Sequence, residues 1–171
     1  MYIFPILIGT SQRKAMHRVS NGLSAAENKK SHEILRKVLA STFILYTKTL
    51  NFHWHVVGPQ FQSLHALFQD QYDELFSAVD EIAERIRAIG HIAPASCKEM
   101  LEHSIISESE ANLSADQMLG ALAEDHFSLS QLIRKKISET EKNNDYGTAD
   151  LLTSRLQSHE KTAWMLQSHL L

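Results

Sequence analysis

From Leu23 to Val57 the chain carries neither glycine nor proline, and the same holds from Gln60 to Ile89. Compact β domains need turn residues every few positions, so two uninterrupted stretches of this length argue for long helices. The whole sequence of 171 residues holds only six glycines and three prolines. Its 43% apolar share is enough to fill a core, and its length suits one domain.

Apolar spacing places four long helical segments. The first runs from about Ala25 to Val57, with Ile34, Leu35, Val38, Leu39, Phe43, Leu45, Tyr46 and Leu50 at mixed three- and four-residue steps. Asn21 or Ser24 is its expected cap, and Gly58-Pro59 its stop. The second runs from about Phe61 to Ile89, with a wide apolar stripe and Gly90 behind it. The third runs from about Ser114 to Glu141, and the fourth from about Tyr146 to Leu170. The stretch from Ala93 to Asn112 is too long for a simple turn, and its "SCKEMLEHS" is expected to form a short helix. The predicted fold class is therefore all-α. It is a ferritin-like four-helix bundle whose second and third helices are joined by a long crossover with a short extra helix. Residues 25–171 are expected to form the domain and residues 1–24 a tail.

Several function classes recede at once. A formal charge of −3 gives no general attraction to nucleic acid. A single cysteine, Cys97, excludes a disulfide framework and a Cys-rich zinc site. The N-terminus is apolar first and basic after, the reverse of a secretory signal, and Pro5 interrupts an apolar run too short to span a membrane. A cytoplasmic protein is expected. Its apolar tip would pack on its own or a neighbouring subunit, or else reflect an over-extended gene start.

A four-helix bundle can hold two metals through inward Glu and Glu-x-x-His motifs, yet none of the ten histidines has a Glu three residues before it. The second helix offers a different arrangement. His65, Gln69, Asp80 and Glu84 fall at about 0°, 40°, 60° and 100° around its axis, so they share a stripe. His65 and Asp80 are nevertheless about 22 Å apart along that axis, ten times a ~2 Å metal–ligand bond. One chain cannot bring both to one ion. Two chains can, if the helix packs antiparallel on its copy about a two-fold axis near Tyr72 and Asp73. His53 and His65 of one subunit, with Asp80 and Glu84 of the other, would then make two equivalent sites. Such mixed N/O donors suit iron, manganese or zinc.

These residues carry a specific resemblance. His53-Trp54, Gly58, Phe61, His65 and the "DEIAER" of 80–85 are similar to the signature of the Dps family, the mini-ferritins of starved bacterial cells. The resemblance covers roughly residues 25 to 170. It implies a homo-dodecamer built from two-fold dimers, a ferroxidase that oxidises Fe(II), mostly with hydrogen peroxide, and stores Fe(III) inside. That chemistry would protect DNA from hydroxyl radical. The resemblance implies His53, His65, Asp80 and Glu84 as the catalytic and metal-binding residues, and Trp54 as a near-site aromatic that takes up stray oxidising equivalents. It also implies Asp145 and Asp150, in "NNDYGTAD", as carboxylates lining an iron-entry pore. The competing reading of those two is a loop Asp and a helix-start Asp held by the helix dipole.

One position departs from the family. Four residues after the second histidine the family usually has Asp, and this chain has Gln69. A neutral amide offers one weak oxygen where a carboxylate can bridge two cations. One tight iron or zinc site is expected, with a weaker second one served by Gln69 or Asp73. Asp70 points about 100° away from the stripe, and Asp73 lies closer to it.

The remaining histidines, His17, His32, His55, His91, His103, His126, His159 and His169, are expected to be ordinary core or surface residues. Trp164 is expected in the core. DNA binding through Arg13, Lys14, Arg18, Lys29 and Lys30 is expected to be weak in an acidic chain whose first nine residues are uncharged. A second function class is a DNA-condensing or zinc-holding cage with little oxidase activity; a third is a purely structural helical oligomer.

Overall fold

In the computed structural model, which describes residues 21–109 and 112–171, five helices follow one another: α1 (Ala25–His55), α2 (Phe61–Ala88), α3 (Cys97–His103), α4 (Ala115–Lys142) and α5 (Tyr146–Ser168). The apolar tip and the basic residues Arg13, Lys14 and Arg18 lie outside the described residues. No helix among the described residues is long and apolar enough to cross a membrane.

Local chemistry fixes the helix starts. Ser24, Ser96 and Ser114 each accept the third helical N–H, while Glu27, Glu99 and Gln117 reach back to the cap N–H. Of the two expected caps for α1, Ser24 is the one used. The helix stops at His55, two residues before the expected Val57, because Val56 is already extended. Gly58 then takes φ 117°, a region that side chains with a Cβ rarely adopt, and its carbonyl accepts the Phe61 N–H.

α1 packs on α2 and α4 packs on α5, each as an antiparallel hairpin, and α1·α4 and α2·α5 contacts close the bundle. Leu35, Leu39, Leu45, Leu64, Leu75, Ile82, Leu119, Leu122, Leu129 and Ile133 are fully buried between them. The crossover carries α3 against α1, pinned by buried Met100 and Ile106 and by the Ile105 N–H donating to Ser41 Oγ at 3.0 Å. This is the predicted four-helix bundle with an extra crossover helix.

One expectation about a side chain changes. Trp164 is not core: it is 66% exposed beside exposed Phe127 on the α4–α5 face. His126 and His159 are core residues, within the expected class. Both are completely buried, with their Nδ1 atoms 2.9 Å apart, in a polar stratum inside the apolar bundle. Arg155, one turn before His159, is buried and ion-paired to Glu74 on α2. Burial, then the Arg155 charge, pushes His126 down to about 3. Burial also holds His159 well below the usual imidazole range.

Candidate metal centre

The turn 56–60 brings the end of α1 against the start of α2, and this is where His53 and His65 meet. His53 donates its Nδ1 proton to the His65 carbonyl at 2.8 Å, and His65 donates its own to the His53 carbonyl at 2.8 Å. Their rings stack at 3.7 Å with an interplanar angle of 20°. A carbonyl can only accept, so each Nδ1 carries the proton and each Nε2 keeps its lone pair. The two backbones thus set both imidazoles in the tautomer a metal needs, a task usually given to other side chains or carbonyls around a metal site.

Aromatic packing holds the pair from both sides. Phe61 stacks on His65 at 5.1 Å, and Tyr72 meets His53 edge-on at 5.1 Å and 77°. Tyr72 is seven residues after His65, hence nearly beneath it on the helix; that spacing is the signal in the sequence for a residue to which no role was assigned there. Desolvation, then the Asp73 charge, raises the Tyr72 phenol above its ordinary value.

His53 and His65 are the only members of the expected ligand set that this chain brings together. Asp80 and Glu84 lie exposed further along α2, and Gln69 and Asp73 are exposed as well. Among the described residues no three His, Cys, Asp or Glu side chains gather into a group that could hold a metal ion. The pair supplies two imidazole donors and leaves the remaining positions to groups from outside the chain. His53 itself is buried, at 7% exposed, whereas the apolar Trp54, Phe61 and Phe76 of the same two helices are 65%, 45% and 62% exposed. Trp54 makes no ring contact among the described residues.

The two expected pore residues behave differently from each other. Asp150 is exposed near the start of α5. Asp145 is buried, caps α5 through the Thr148 N–H at 3.1 Å, accepts from Thr148 Oγ1 at 2.7 Å and pairs with Arg85. Burial alone would raise its carboxyl, but Ser31, Thr148 and Arg85 outweigh it and hold the group below the ordinary range. Arg85 also lies over Gly147, where a Cβ would stand 3.0 Å from the guanidinium.

A ferritin-like domain model matches residues 32–171. The chain is 41% identical to DNA protection during starvation protein 2 of Bacillus anthracis, over 84% of this chain and 98% of that protein. The chain belongs to the Dps family of mini-ferritins. Among solved structures, Dps from Staphylococcus aureus superposes with a TM-score of 0.82 at 35% identity, covering 84% of this chain and 96% of that one. The Dps protein of Vibrio cholerae O1, described as a member of a superfamily of ferritin-like diiron-carboxylate proteins, gives 0.85 at 27% identity over 91% and 99%. The short α3 in the crossover is part of this shared Dps architecture.

Proposed function

We propose that this Dps protein is a ferroxidase cage: it oxidises Fe(II), with hydrogen peroxide as oxidant, and stores the Fe(III) product, which withdraws both Fenton reactants from DNA. The observation that carries the reading is the reciprocal His53–His65 lock, which puts the proton of each imidazole on Nδ1 and leaves each Nε2 lone pair free to bind a metal.

The carboxylates come from a second copy. Antiparallel packing of α2 on its copy about Tyr72 and Asp73 sets Asp80 and Glu84 of the partner subunit opposite His53 and His65. The exposed Trp54, Phe61 and Phe76 supply the apolar area such an interface needs. Two imidazoles and two carboxylates then receive one Fe(II), with coordination positions left for peroxide. Gln69 weakens the second metal position, so the cage has one tight iron per site. Dimers assemble further into a dodecamer, and Asp150 attracts cations toward its pores. Residues 25–171 form the working domain.

The test is Fe(II) oxidation by peroxide, followed optically, in the wild type and in variants carrying His65→Ala or Asp80→Ala. Equal rates in all three would remove the reading.

A second reading is a zinc-holding or DNA-condensing cage. Zinc accepts the same donors. For DNA the favouring observation is a groove of about 540 Å³ between α1 and α4 where Lys30, Lys37, Lys136 and Lys142 outnumber Glu33 and Glu139, although Lys136 is paired to Glu139. A gel shift that is strong at low salt and vanishes at higher salt identifies phosphate contacts.

A further inference from the structure

Peroxide needs two electrons to become two waters, and one Fe(II) supplies one. If the second metal position is weak, a single Fe(II) at the site would split peroxide into hydroxide and hydroxyl radical unless another donor stands close by. Among the described residues, the ring contacts of His53 and His65 include one phenol, that of Tyr72. Its ring meets the edge of His53 at 5.1 Å and 77°, while Trp54, next in sequence to His53, makes no ring contact with either imidazole among the described residues. Tyr72 in turn meets Tyr46 at 6.3 Å and 72°. Two phenols therefore run in series from a metal-binding imidazole into the α1–α2 face.

We propose that Tyr72 delivers the second electron through His53, taking the place of the second iron that Gln69 disfavours, and that Tyr46 extends the relay. The proposal rests on the ferroxidase reading above. In the step, Fe(II) gives one electron and the Tyr72 phenol gives one electron and its hydroxyl proton. With one more proton from solvent, the O–O bond breaks to two waters, leaving Fe(III) and a neutral Tyr72 radical. Tyr46 can pass an electron and its hydroxyl proton to that radical, moving the hole away from the site. A later Fe(II), with a proton from solvent, restores the phenol. The sum is two Fe(II) oxidised per peroxide and no free hydroxyl radical.

The experiment loads the assembled protein anaerobically with one Fe(II) per site, adds one equivalent of peroxide, freezes within the first turnover and records the electron paramagnetic resonance spectrum. A parallel sample contains a hydroxyl spin trap. The wild type is expected to give a transient tyrosyl signal and little trapped hydroxyl. In Tyr72→Phe, which keeps the ring and its packing, the tyrosyl signal should be lost and trapped hydroxyl per peroxide should rise severalfold. Tyr46→Phe should keep the signal. Growth of the unmutated protein on ring-deuterated tyrosine should narrow it, which tests the assignment without any substitution. Equal radical and hydroxyl yields in wild type and Tyr72→Phe, or an unnarrowed signal, overturn the relay alone. Wild-type Fe(II) oxidation no faster than in His65→Ala overturns the ferroxidase reading itself, and the relay with it.

Discussion

His53 and His65, twelve residues apart across a five-residue turn, each donate a ring proton to the other's backbone carbonyl at 2.8 Å while their rings stack at 3.7 Å. Each histidine is therefore a clamp on the α1–α2 corner, and in the proposed ferroxidase site it is also a metal ligand. His53→Ala should lower zinc affinity, read by calorimetry on the assembled protein, by at least about 10–100-fold, the range seen even for groups that only orient a ligand. It should also cost about 1 kcal/mol of stability from the lost hydrogen bond. Unchanged zinc affinity would contradict the role of the pair.

The shared site predicts complementation. Subunits carrying His65→Ala and subunits carrying Asp80→Ala are each expected to be inactive as pure assemblies. Unfolded together and reassembled at equal amounts, random pairing leaves about a quarter of the sites with an intact histidine from one subunit and an intact carboxylate from its partner. About a quarter of wild-type ferroxidase activity should return. No recovery from well-assembled mixed cages would mean the ligands do not come from two chains.

Gln69→Asp should restore the second metal position. Anaerobic Fe(II) titration should then pass from one tight iron per site to two, because a carboxylate bridges cations and an amide does not. Two equally tight irons in the wild type would show that Gln69 is no obstacle.

Asp145 and Asp150 should separate in their effects. Asp145→Asn removes a charged cap and the partner of Arg85, and is expected to cost about 1–2 kcal/mol, seen as a lower Tm. Asp150→Asn should leave Tm unchanged and slow iron uptake; an unchanged uptake rate would remove its pore role.

Acid should weaken the subunit through its buried imidazoles. The folded pKa of His126 lies near 3 and that of His159 well below 6.5, whereas both approach 6.5 when unfolded. Between those values the unfolded state binds more protons, so stability rises with pH there and is lost as pH falls from about 6.5 toward 3. The paired substitution His126→Leu with His159→Leu should flatten that part of the Tm–pH curve. An unaltered slope would place the acid sensitivity elsewhere.

The long glycine- and proline-free segments, the serine caps and the apolar stripes determined the helices and their order, because these are properties of neighbours along the chain. Axial arithmetic on α2 likewise showed that His65 and Asp80 cannot share an ion within one subunit. Other features depended on which surfaces meet. Nothing within a few residues of Trp164 distinguishes a core face from an outward one, and the packing of α4 on α5 turned it out. His126 and His159 are 33 residues apart, and only the same packing sets their Nδ1 atoms 2.9 Å from each other. From sequence Asp145 reads as either a pore carboxylate or a loop Asp, and only the fold shows it buried and paired with Arg85 from α2. The two histidines of the turn were legible as candidates from spacing alone. Their shared tautomer was not, because it is set by two carbonyls whose directions exist only once α1 and α2 have folded against each other.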